Sequence, residues 1–225
     1  MKIKGGWRRV AKWAIWSVIT LVFLGFLIRV ATFEAWYYGE KEGSERAAVA
    51  AEESTLDETV PTEEEIIEYT VAADRPRYLS IEKLGITNAR VLAMGINSEG
   101  EMATPNNIFD VGWYEGSGKP GQGGTMIIDG HNGGPNVYGV FKKLPDLVAG
   151  DIIKIERGDG AIFNYEVVEN VTVALEESDD YMIKAAKSPE KGRESITLIT
   201  CTGEWSSVQQ TYLSRQFTRA VLIED

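Results

Sequence analysis

The sequence has one cysteine and one histidine in 225 residues. A lone cysteine, Cys201, closes no intramolecular disulfide, so no covalent staple within the chain supports the fold. With no Cys-x-x-Cys pair and no second histidine, the usual ligand clusters of a zinc site are missing, and neither a metal nor a cofactor is expected. The folded part lacks a basic stripe. Residues 75–225 are mildly acidic and the whole chain carries −11, which argues against nucleic-acid binding. No internal repeat is visible. Long apolar runs are also scarce, with a single stretch from Trp13 to Ile28.

That stretch follows Lys2, Lys4, Arg8, Arg9 and Lys12, and the apolar character resumes after Arg29 as far as Phe33. A helix needs roughly 17–25 apolar residues to span a bilayer. Residues 13–33 therefore read as a single transmembrane signal-anchor, with Arg29 snorkelling and Trp36, Tyr37 and Tyr38 at the interface. Cations before the run and acids after it put residues 1–12 in the cytoplasm and the rest outside the cell membrane. A cleaved signal peptide is the competing reading, but no small-x-small site precedes Glu34. Residues 34–74 hold thirteen acids against two bases and, from residue 39 on, are poor in aromatics. They read as a self-repelling extracytoplasmic linker, transiently helical near Glu63–Tyr69.

From Arg75 the texture becomes β-branched and alternating, punctuated by Gly, Asn, Asp and Pro. Eight strands are predicted, over 78–81, 89–94, 125–129, 151–155, 161–167, 172–174, 196–201 and 219–223. Short helices or turns are predicted over 137–144 and 179–186, the latter capped by Asp residues. So many short strands with little helix predict a mainly β fold, a closed barrel or sandwich of about 150 residues spanning 75–225.

Two residues carry the chemistry. Cys201 ends an apolar run and is followed by Thr202-Gly203. His131 follows the run ending in Ile127-Ile128-Asp129-Gly130 and opens a loop of Asn132-Gly133-Gly134. An inert buried thiol and a solvated loop imidazole are the bland readings. The sharper one brings the two strand exits to one rim, where an imidazole exchanges a proton with a nucleophilic thiol and later protonates a leaving amine. Arg215 and Arg219 lie near the last predicted strand, and a guanidinium there would stabilise the oxyanion. Asp129, two residues from His131, projects to the same side of its strand.

The string Thr197-Leu198-Ile199-Thr200-Cys201 resembles the TLxTC signature of sortases. Gly130-His131 followed by Phe141, Leu144 and Gly150-Asp151 resembles the histidine region of that family. Trp113, Pro120-Gly121 and Gly124 fit the spacing before it, and Arg219-Ala220-Val221-Leu222 resembles the arginine that opens the last strand. The resemblance covers roughly residues 76–225. It implies an eight-stranded sortase-type β-barrel and a membrane-anchored cysteine transpeptidase, a thiol peptidase of the hydrolase class. Such an enzyme cleaves an LPxTG-like sorting motif through a thioacyl-enzyme. It passes the protein to an amine acceptor, a cell-wall precursor or a pilin lysine.

Carried over, Cys201 is the nucleophile, His131 the acid/base and Arg219 the oxyanion stabiliser, with Arg215 as the fallback. Thr200 shapes the substrate site. The acidic Glu176–Asp180 lies where some sortases bind calcium, though a solvated loop with a helix cap is the favoured reading. The absence of a lid signature or a C-terminal membrane helix leans towards a wall-anchoring or minor-class enzyme over a pilin-polymerising one. A membrane-tethered barrel that binds without turnover is the alternative of another class. An L,D-transpeptidase would place its cysteine in a Ser-x-Gly-Cys-x-Arg context, whereas Cys201 is followed by Thr202-Gly203-Glu204.

Overall fold

Two stretches are buried on successive residues, Thr125–Gly130 and the first half of Ser195–Ser206, and in the computed structural model they lie side by side as parallel strands. A strand covered on both faces has no need of polar alternation. The structure describes residues 56–97 and 100–224. The expected cytoplasmic N-terminus, the membrane span and the linker as far as residue 55 lie outside the described residues.

Eight strands close into one barrel. They are β1 Pro76–Ile81, β2 Ile86–Met94, β3 Val111–Tyr114, β4 Thr125–Gly130, β5 Ile152–Arg157, β6 Ile162–Ala174, β7 Ser195–Ser206 and β8 Thr211–Leu222. The order around the barrel is β1-β2-β3-β4-β7-β8-β6-β5. Only the β2–β3 and β4–β7 neighbours are parallel. Every second residue points inward, so Leu79, Ile81, Trp113, Met126, Ile128, Tyr165, Ile196 and Leu198 form a dry core.

The mainly β, eight-stranded expectation holds, but the strands differ from those predicted. The predicted strands 161–167 and 172–174 are one strand, β6, with a register shift between Val167 and Glu169. Asn170, in the gap between the two predicted strands, faces the interior. Its amide donates to the Leu147 carbonyl at 2.7 Å, and its Oδ1 accepts from Gln216 at 2.7 Å and Thr218 at 2.6 Å. The short β3 was not predicted. Its Gly112 is needed for space, because a Cβ there would lie 2.4 Å from Asp129 Oδ1. The last strand begins at Thr211 rather than at residue 219. Its first half is polar, but its inward-facing Gln216 and Thr218 are buried and hydrogen-bonded, which removes the cost of placing them inside.

Two helices flank the barrel, α1 Glu63–Glu68 and α2 Leu175–Ala185. The helix expected from Asp179 starts at Leu175, and no side chain caps it. Glu176–Asp180 is thus helical rather than a loop. The outer faces of β6, β7 and β8 drive this docking: Val173, Ile199 and Phe217 pack under Ala185, Tyr181 and Met182. The second half of the expected linker is likewise not free chain. α1 has a reciprocal Thr62–Glu65 capping box. Tyr69 donates its hydroxyl to the Val91 carbonyl at 2.6 Å, and Arg77 Nε donates to the Tyr69 carbonyl at 2.8 Å. The structured body therefore begins before Arg75.

Candidate active site

The parallel β4–β7 register decides where the two singular residues meet. Thr125 pairs with Ser195 and Asp129 with Ile199, a constant offset of seventy residues. Extended by two residues, that offset sets His131 beside Cys201. β4 ends at Gly130, so His131 leaves the sheet beside Cys201, whereas β7, expected to end at Cys201, runs on to Ser206 paired with β8. Thr200 locks this register. Its side chain is buried on the inner face, and its hydroxyl donates to the Gly130 carbonyl at 2.7 Å. The residue expected to shape the substrate site thus spends its hydroxyl on the strand end that carries His131.

Antiparallel pairing supplies the third group. Cys201 is directly opposite Arg215 in the β7–β8 ladder. The guanidinium is steadied by the Tyr212 carbonyl at 2.9 Å, the Ser214 carbonyl at 3.1 Å and Thr211 Oγ1 at 3.2 Å. Arg219, the first choice from the sequence, is not brought here. It pairs with Thr197, four residues further along, which is about 13 Å at the usual strand rise. It is 3% exposed, salt-bridged to Glu169, and donates to the carbonyls of Lys187 at 2.8 Å and Lys184 at 3.3 Å at the end of α2. The apolar run after Arg219 reads as the start of the strand, whereas the polar residues before it, from Thr211, already belong to the strand.

His131, Cys201 and Arg215 line one cleft of about 660 Å³. Leu175, Ser178, Asp179 and Met182 of α2 wall one side, and Gly100, Glu101, Met102 and Thr104 another. Asp129, Gly130, Ile199 and Thr200 form the floor. His131 Nε2 lies 2.7 Å from the Pro105 carbonyl. A carbonyl only accepts, so Nε2 carries the proton and Nδ1 holds the free lone pair. Pro105 and Thr104 escaped the sequence reading. The only signal was a turn-like Thr104-Pro105-Asn106-Asn107 string, which gives no hint of its partner.

Burial raises the pKa of the Cys201 thiol; the charge of Arg215 works against that rise and Asp129 works with it. Burial lowers the His131 imidazole, and the bond to Pro105 opposes this. The resting pair is therefore a neutral thiol beside a neutral imidazole. Asp129 is the other perturbed group. Burial pushes its carboxyl up to about 7, against the Thr104 hydroxyl that donates to Oδ2 at 2.8 Å. Its Oδ1 is buried with no hydrogen-bond partner among the described residues. Also among the described residues, no group of three or more His, Cys, Asp or Glu side chains is placed to hold a metal ion, and no helix is long and apolar enough to cross a membrane.

A comparison with curated proteins finds no match. Solved structures do. The chain is similar to sortase C of Streptococcus pneumoniae, with 21% identity over 79% of this chain and 85% of that one and a TM-score of 0.51, which shows a shared fold. It is also similar to a Clostridium perfringens sortase D5 transpeptidase (24% identity, 73% and 90% covered, TM-score 0.46). A third similar structure is sortase A from Corynebacterium diphtheriae (26% identity, 68% and 64% covered, TM-score 0.47). The sequence model of the Sortase domain matches residues 79–223, which runs from within β1 to just past β8 and takes in all of the barrel but the start of β1. A match of that extent, well over half of the sequence, means that the chain belongs to the sortase family of cysteine transpeptidases.

Proposed function

We propose that this protein cleaves an LPxTG-like sorting motif at the C-terminal end of a surface protein and transfers the protein to an amine. The observation that carries this reading is the convergence of Cys201, Arg215 and His131 on one cleft. Cys201 is the nucleophile. Its thiolate attacks the carbonyl carbon of the scissile bond, and the developing oxyanion is held by Arg215, whose charge no carboxylate neutralises among the described ion pairs. The C–N bond breaks as the His131 imidazolium gives its proton to the leaving amine, and a thioester remains on Cys201. An incoming amine then loses a proton to His131 and attacks the thioester, which returns the Cys201 thiolate. Thr200 acts by fixing the end of β4.

Residues 13–33 hold the domain at the outer face of the cell membrane, with residues 1–12 in the cytoplasm; the five cations ahead of the apolar run support this orientation. The acceptor is a cell-wall precursor or a pilin lysine. The reaction is tested by mass spectrometry of the protein incubated with LPxTG-like peptides, with and without an amine acceptor. A thioacyl adduct on Cys201, or cleavage before the motif's glycine, is expected. A free thiol and intact peptides throughout would turn the reading towards a barrel that binds without turnover. Release of the protein from membranes by alkaline carbonate would overturn the anchor.

A further inference from the structure

Among the described residues no carboxylate aims His131; its Nε2–H is aimed by the backbone carbonyl of Pro105. What holds Pro105, and what holds the loop after His131, therefore sets the position of the imidazole. Both trace to one place outside the barrel. Asp57 runs parallel to Asn107 as an isolated bridge, with Asp57 N donating to the Asn106 carbonyl at 2.8 Å and Ile108 N donating to the Asp57 carbonyl at 3.0 Å. The Asn107 amide adds bonds to Asp57 Oδ2 at 3.0 Å and the Thr59 carbonyl at 2.8 Å. The neighbouring Glu58 reaches the other way. Its carboxylate accepts from Asn136 N and Asn136 Nδ2, each at 2.8 Å, and from Val137 N at 3.3 Å. These residues lie in the loop that leaves β4 through His131 and returns to it, since Phe141 N donates to the His131 carbonyl at 2.9 Å.

We propose that residues 56–60 are a strap in which Asp57 and Glu58 are positioning residues for His131, one clamping the segment that carries its acceptor and the other the loop that follows it. Two further observations show that the fit is built. Gly134 leaves room for the strap, because a Cβ there would lie 2.3 Å from Glu58 Oε1. Both carboxyls are held below their usual range, Glu58 by the Asn136 donors and Asp57 first by the N–H and hydroxyl of Thr59 within the strap and then by Asn107, so the strap is charged when it is docked. The acidic residues that the sequence offered as self-repelling linker are here satisfied by backbone N–H groups and an asparagine amide.

The test uses the full chain in detergent, with histidine isotopically labelled. His131 is the only histidine, so a single imidazole resonance reports on it whether or not any peptide is turned over. Removal of the strap by Asp57→Ala/Glu58→Ala should raise the His131 titration midpoint, because water entry relieves the burial that lowers it, a larger effect than loss of the Pro105 bond, which works the other way. Glu101, Asp129, Asp179, Cys201 and Arg215, the charged and titratable groups of the cleft, stay unchanged. Gly134→Ala should do the same in smaller measure, because its methyl group evicts the Glu58 carboxylate without altering any charge. Glu58→Gln should largely restore the wild-type titration, because it keeps an acceptor oxygen.

The kinetic arm rests on the transpeptidase reading. There kcat should fall about tenfold in the double variant with KM within about twofold, as expected when a reacting group is misplaced by a fraction of an ångström. A double variant that loses melting temperature but keeps the His131 titration would overturn the positioning role. A shifted titration with no turnover in any protein, wild type included, would uphold the strap and sink the reaction instead.

Discussion

Cys201 and Arg215 are opposed partners on the outer face of the β7–β8 hairpin, while Arg219, on the same face, is locked under the end of α2. The two arginines thus differ in what they touch, and their removal should have opposite signatures. Arg215→Ala should lower kcat/KM by about 10²–10³, the scale for loss of one oxyanion donor. Its melting temperature should stay near wild type, since its bonds are to hairpin backbone at the surface. Arg219→Ala should keep activity per folded molecule but leave the Lys187 carbonyl without its Arg219 donor and Glu169 with Lys184 as its one remaining cation among the described ion pairs. A cost of about 2 kcal/mol is expected for such charge-assisted bonds. For a domain of this size that is a fall of about 4–8 °C. Kinetics and thermal melts of the two variants decide it, and the reverse ranking would return the oxyanion role to Arg219.

The directions of the two titrations fix the shape of the pH profile. The reacting pair is a thiolate with an imidazolium, yet burial raises the thiol and lowers the imidazole. Between the two midpoints the charged pair is a small, constant fraction of the enzyme. Below the imidazole midpoint that fraction falls with the thiolate, and above the thiol midpoint it falls with the imidazolium. The profile of kcat/KM should therefore be a broad plateau. Its acid limb should lie below the ordinary imidazole value and its alkaline limb above the ordinary thiol value. Alkylation of the sole cysteine should follow the alkaline limb, and Arg215→Ala should move that limb to still higher pH. A thiol alkylated at its full rate at neutral pH would refute the argument from burial.

The parts of this protein that were legible in the sequence are those where one residue type had one job. Cys201 and His131 are unique, and His131 does leave the end of β4, but Cys201, expected at a strand exit, lies within β7, which runs on to Ser206 paired with β8. What was not legible depended on partners. No local pattern shows that β4 and β7 are parallel neighbours, so the offset that brings His131 to Cys201 appears only with the sheet. Arg215 ranks only as the fallback in the sequence because the apolar run directly follows Arg219, and the polar Gln216 and Thr218 hide the earlier half of the strand. They are buried, but Asn170, more than forty residues away, satisfies them. The acidic linker misled for the same reason, since Asp57 and Glu58 look repulsive until the donors of Asn107 and Asn136 are placed beside them.

Asp129 bears on stability as well as on the cleft. Its carboxyl titrates near 7 when folded and near the ordinary carboxylate value of 3.8 when unfolded. Between those values the folded protein holds more protons than the unfolded chain, so stability falls as pH rises through that window. Asp129→Asn removes the charge that burial disfavours. The variant should be more stable than wild type at pH 7, by at most about 4 kcal/mol at 1.36 kcal/mol per pKa unit. Its advantage should shrink steadily towards pH 4. Denaturant melts across this range measure it, and a gap between the two proteins that does not depend on pH would mean that Asp129 is not the group responsible.

The edge of the folded body is open to direct test by truncation. A chain starting at Glu53, where the compact unit begins, keeps α1 and the strap. One starting at Arg75 loses the Tyr69 bond to Val91, the Arg77 bond to Tyr69, the bond from the Tyr78 hydroxyl to Ile66 and the Asp57 contacts to Asn107. It also uncovers Tyr78, which is 5% exposed in the intact fold. At about 1 kcal/mol for each lost bond the cost is about 4 kcal/mol. That corresponds to a fall of about 10 °C in melting temperature for the shorter chain. Because His131 then loses both of its clamps, the shorter chain should also be slower when measured well below its melting point. Equal melting temperatures and equal rates for the two truncations would show that residues 56–74 merely rest on the barrel.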